Sequence, residues 1–155
     1  TRLILRTRFA NLPKVLLRYR VHPASVWRIR REDQLRLTAK IWRAQVEGLG
    51  LAFDSKTTPL HAALAGAARL KSLEELDTAE GWLVRLTAAL EAKHGVSGVT
   101  VRRQMAESWI LAGAGLTQFG PAAAKRYWES PFSDRERPFR KEHMRLVWKS
   151  LWRRE

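Results

Sequence analysis

The sequence contains no cysteine in its 155 residues. That excludes disulfides and thiolate metal sites, and it fits a reducing compartment. No uninterrupted apolar run approaches the ~20 residues that a membrane-spanning helix needs. No secretory leader is visible at the start, which is Thr1 rather than Met, so the chain is expected to be a piece of a longer translated product. Acid is missing from the first 31 residues, which carry nine Lys or Arg and no Asp or Glu. Residues 1–31 therefore cannot build a paired-carboxylate site or an acidic metal cluster by themselves. No Asp-x-Asp occurs anywhere in the chain.

Positive charge is abundant instead. The net charge is +14, divided as +9 over residues 1–31, −1 over 32–99 and +6 over 100–155. Two cationic ends around a neutral middle attract anions: phosphates, nucleic acid or an acidic membrane surface. All but one of the bases in the first segment are Arg, whose planar fork matches a phosphate better than the point charge of Lys.

One strand is predicted, over Lys14–Val21, because an apolar and aromatic run is bounded by Pro13 and Pro23. A lone strand cannot form a sheet, and the chain offers no partner of similar quality. From Glu32 onward the texture is helical. Leu35, Thr38, Trp42, Val46 and Leu49 keep the helical period until Gly48 and Gly50. Pro59 suits a first helical position ahead of Leu60, Leu64 and Ala67/Ala68. Ser72 with Glu75 reads as a capping box, with Asp77 or Thr78 as a second candidate cap. The Trp82/Leu83, Leu86 and Leu90 stripe ends at Lys93-His94-Gly95, a stop signal. Ser97 is expected to open a long helix aligning Val101, Met105, Trp109, Ala112 and Leu116, broken at Gly120-Pro121. A short helix over Ala122–Trp128 and an amphipathic helix over Arg140–Arg154 follow. The expectation is a mainly α chain: one strand near 14–21, then a helical C-terminal region, 32–155, of about six helices with no fixed repeat.

The chemistry gathers in Arg8–Ser25, R-F-A-N-L-P-K-V-L-L-R-Y-R-V-H-P-A-S. Arg18 and Arg20 share one side of the strand, and Tyr19 and Val21 the other. His22 stands at the strand's end before Pro23, with the Ser25 hydroxyl close by. Neighbouring cations depress an imidazole pKa, which makes His22 a poor general base but leaves it a reasonable metal ligand. A strand-end histidine bonded to backbone is the plain alternative.

F-A-N-L-P-K-V-L-L-R-Y-R-V-H-P-A-S resembles the closing segment of the catalytic domain of family-2 glycosyltransferases. The family pattern is aromatic-Ala-Asn-Leu/Ile-Pro-x-Val/Leu-Leu-x-Tyr-Arg-x-His-x-x-Ser. Leu3-Ile4-Leu5-Arg6 resembles the helix after that family's catalytic acid, and Gln34-Leu35-Arg36 the helix that commonly follows the motif. The likeness spans about residues 2–50 and rests on many positions agreeing in order and spacing. It implies a GT-A remnant over 1–31 and a nucleotide-diphosphate sugar donor bound through a divalent metal, Mg or Mn. It implies His22 as a metal ligand, Arg20 and Ser25 on the donor diphosphate, and Tyr19 beneath it or toward the acceptor. The family's Asp-x-Asp, nucleotide-binding strands and catalytic acid have no counterpart in this sequence. The chain alone is accordingly expected not to transfer sugar. The resemblance further implies polysaccharide biosynthesis with a glycan or lipid-linked acceptor, in the cytoplasm, peripheral at the inner membrane face.

The other histidines carry weaker signals. His61 begins a predicted helix, His94 sits in a helix's last turn, and His143 lies on the last amphipathic helix, so capping or surface roles are expected. Glu74-Glu75 reads as helix N-terminal charge. Of seven tryptophans, Trp42, Trp82, Trp109 and Trp148 fall on apolar stripes and are expected in the core. Lys141, Arg145, Lys149 and Arg153 form a line four residues apart. With Trp152 they suit an anionic membrane surface or, more plainly, a solvated helix face. Two readings without catalysis stand beside the transferase: a basic helical nucleic-acid binder, although no recognition helix stands out, and a membrane-surface or protein-interaction module.

Overall fold

The structure is a computed structural model that describes residues 13–17, 31–113 and 116–133. Among these residues there are five α-helices, one 3-10 turn and no strand. The helices are α1 (Arg31–Gly48), α2 (Thr57–Leu64), α3 (Leu73–His94), α4 (Gly98–Gly113) and α5 (Gly120–Glu129). The 3-10 turn covers Leu116–Phe119. The chain is mainly α, as its periodicity predicts. Of the predicted strand, Lys14 lies in a bend, Val15–Leu17 take no regular secondary structure, and residues 18–21 lie outside the described residues. The predicted helix over Arg140–Arg154 lies outside them too.

The chain divides into two compact units, residues 1–44 and 45–155. In the first, Val15, Leu16 and Leu17 are 86%, 72% and 78% exposed. Its part of α1 begins with Glu32 and Asp33, acids placed where the helix dipole favours them. Leu37 and Ile41, four apart on that helix, are also exposed.

The second unit has the core. α2, α3 and α4 pack on one another pairwise, and the 3-10 turn packs on α4 and α5. The side chains between them are Leu60 and Leu64 of α2, Leu76, Trp82, Leu83 and Leu86 of α3, and Val101, Trp109 and Ile110 of α4. Each set recurs at helical spacing, which is why these stretches coil with one face inward.

Local chemistry sets the boundaries. Ser72 is extended (φ −153°, ψ 168°), and its hydroxyl accepts the Glu75 N–H at 3.1 Å. The Glu75 carboxylate reaches back to the Lys71 N–H at 2.6 Å, so the predicted capping box closes one residue earlier than its usual return to the cap. Asp77 and Thr78 are not caps: they lie inside α3, and Thr78 turns its hydroxyl back to the Glu74 carbonyl. Gly95 ends α3 at φ 56°, a conformation costly for any residue with a Cβ, and its N–H donates to the Glu91 carbonyl.

α2 begins two residues before Pro59, not at it. Asp54 Oδ1 accepts from the N–H groups of Lys56 and Thr57, both at 2.9 Å, while Thr57 Oγ1 accepts the Asp54 N–H at 2.8 Å. Pro59 still falls in the first turn, where its missing N–H costs nothing. Ala67 and Ala68 lie past the end of α2. Gly120-Pro121, expected to break a helix, opens α5 instead, with Pro within its first two positions. Leu116 is buried but belongs to the 3-10 turn rather than to α4.

Candidate functional site

Arg20, Ser25, Tyr19 and His22 lie outside the described residues, as do Lys141, Arg145, Lys149, Trp152 and Arg153. Among the described residues, no three His, Cys, Asp or Glu side chains come together to hold a metal ion. No described helix is long and apolar enough to cross a membrane.

The most chemically distinctive arrangement in the second unit is built on α2, α3 and the segment before them. His61 falls in the last turn of α2, not at its start, and it is half-buried. Trp82 of α3, 2% exposed, donates its indole N–H to His61 Nδ1 at 3.3 Å. Phe53 meets the imidazole edge-on, ring centres 5.5 Å apart and planes at 87°. On the indole itself sits the Arg85 guanidinium, 5.0 Å from the ring centroid, in cation–π range.

Burial holds the His61 pKa below its ordinary value. The bond from Trp82 acts in the same sense, because only a deprotonated Nδ1 can accept it. His61 is therefore a neutral, oriented acceptor, and its expected capping or surface role is corrected. The reason lies outside its own neighbourhood: the indole that buries it comes from 21 residues further along the chain.

A second aromatic group closes the far end. Trp109 of α4 and Tyr127 of α5, both fully buried, stack with centroids 5.8 Å apart and planes 7° apart. The Tyr127 carbonyl accepts three donors: the Trp109 indole N–H at 3.2 Å, the Ser130 N–H at 3.4 Å and the Ser133 hydroxyl. α5 is further tied to α3 by Arg126, which reaches Asp77 at 2.5 Å and Glu80 at 2.9 Å. Trp82 and Trp109 are in the core as their periodicity predicts, while Trp42 is only half-buried. His94 and Glu74 are exposed in the end turns of α3, as expected.

Compared with family models, with characterised proteins and with solved structures, the chain gives no match.

Proposed function

We propose that this chain is the C-terminal portion of a family-2 glycosyltransferase, which moves a sugar from a nucleotide-diphosphate donor to a glycan or lipid-linked acceptor. The observation that carries the reading is the ordered run from Phe9 to Ser25, ending in Tyr19-Arg20-x-His22-x-x-Ser25. Arg20 and Ser25 bind the donor diphosphate. The guanidinium fork spans two phosphate oxygens, and the hydroxyl donates to a third. Tyr19 packs beneath them or faces the acceptor.

Support comes from the segment just before. Three consecutive apolar side chains, Val15, Leu16 and Leu17, are more than 70% exposed. These are the groups that neighbouring strands and helices of a donor-binding domain would cover.

The divalent metal, Mg or Mn, fits this chain only in part. One imidazole in an acid-free stretch of 31 residues is no site for a hard cation, which takes oxygen ligands. The carboxylates and the catalytic base must come from other parts of the protein, and the chain alone does not turn over. The helical unit 45–155 is an accessory to that chemistry.

The test is equilibrium binding of a panel of nucleoside diphosphates, in Mn2+ buffer, to the full-length protein. Arg20→Ala should weaken binding about 10–100-fold, the worth of a charge-assisted bond. Absence of binding to every nucleoside diphosphate, or an unchanged affinity in the variant, would overturn the assignment.

A further inference from the structure

The corner where α3 gives way to α4 is cationic and apolar at once. Between Glu91 and Glu107 the sequence holds Lys93, His94, Arg102 and Arg103 and no acid. Gly95 ends α3, and α4 starts at Gly98. In the first turn of α4 Val99 is 78% exposed, although Val101 beside it is buried, and Val96, in the connection, is 39% exposed. Positions 102 and 103 follow Val99 by three and four residues, so the three share one helix face. Both arginines are exposed, and among the described residues neither makes an ion pair. Lys93 donates to the Gly48 carbonyl.

Two acids bound the corner: Glu107, four residues after Arg103 on α4, and Glu91. A Cβ added to Gly98 would come within 2.6 Å of Glu91 Oε1, so that carboxylate lies over the start of α4, where the helix dipole favours an anion. Among the described residues it makes no ion pair with Arg102 or Arg103.

We infer that this corner docks on an anionic lipid bilayer. Charge and shape agree on that occupant. Lipid phosphates complement Arg102 and Arg103, while Val96 and Val99 reach the boundary of the acyl chains and leave water. A nucleic-acid backbone would satisfy the arginines but leave both valines in solvent. The docking point belongs to the helical unit and does not depend on the glycosyltransferase reading.

Co-sedimentation of the chain with phosphatidylcholine vesicles, with and without phosphatidylglycerol, tests it. Binding is expected only to the anionic vesicles. The double variant Arg102→Gln, Arg103→Gln should lower the partition about 25-fold, at about fivefold per cation. Val96→Ser with Val99→Ser should lower it several-fold. Val84→Ser, at an exposed position in the middle of α3, should leave it unchanged. All five sites are exposed, and unfolding midpoints matching the parent confirm that each variant is folded. Failure of the parent to bind anionic vesicles overturns the inference, as does parent-like binding by the corner variants. If the serine variant binds vesicles as the parent does while the glutamine variant loses duplex DNA, the arginines serve nucleic acid and the inference is likewise overturned.

Discussion

Trp82 donates its indole N–H to Nδ1 of His61 over 3.3 Å, fastening α2 to α3 through a bond that only a neutral imidazole can accept. Protonation removes the acceptor and places a charge among Phe53 and the indole.

Acid should therefore loosen the helical unit. The folded pKa of His61 lies below its value in the unfolded chain, near 6.5. The unfolded state thus binds the proton first. Stability is fully present above about pH 6.5 and is lost as the pH falls from there through the folded pKa. Denaturant unfolding at pH 7.5 and pH 5 should show the loss, and His61→Gln should flatten the dependence. Asp54 moves the same way, held low first by its bond from the Thr57 N–H and then by the Thr57 hydroxyl. Its stabilisation is lost only below its ordinary pKa of 3.8, outside that window. An unaltered slope in His61→Gln would refute the assignment.

Trp109 should be the most sensitive single position. It is fully buried, stacked on Tyr127 and bonded to the Tyr127 carbonyl. Trp109→Ala is expected to cost about 3–5 kcal/mol by equilibrium unfolding. Trp109→Phe should cost markedly less, because it keeps a ring and leaves that carbonyl with Ser130 and Ser133 as donors. Equal losses in the two variants would mean the stack contributes little.

Ser72→Ala removes the cap of the longest helix and should cost about 1 kcal/mol, while Ser72→Asp should retain most of the stability. Chemical denaturation of the two variants side by side decides it.

Arg126 and Arg36 should behave differently. Arg126 joins two acids on another helix, and Glu80 among them is only 16% exposed. Arg36 pairs with Asp33 on its own helix in the open. Truncating Arg126 to Ala should cost roughly 1 kcal/mol, and truncating Arg36 almost nothing. Unfolding in low and high salt reads both.

What was legible in the sequence is what neighbours decide. Ser72, Glu75 and Gly95 bound α3 through bonds spanning a few residues, so their types alone mark its ends. The apolar period likewise picked out Trp82, Leu83 and Trp109. The errors arise where a residue type has two uses. Gly120-Pro121 ends a helix as readily as it begins one, since Pro needs only a free N–H position. His61 reads as a capping or surface residue because nothing nearby in the sequence reveals the indole that buries it. The Asp54–Thr57 cap was there to be seen three residues apart, but Pro59 is the louder signal. The proposed donor-site residues rest on order and spacing in 9–25, and the described residues do not include Tyr19, Arg20, His22 or Ser25.

The most direct test of the glycosyltransferase assignment is release of nucleoside diphosphate from a panel of nucleotide sugars by the full-length protein, with His22→Ala measured alongside. Turnover of at least one donor is expected, falling about 10–100-fold in the variant with its unfolding midpoint unchanged. No turnover on any donor, or parent-like turnover in His22→Ala, would contradict it.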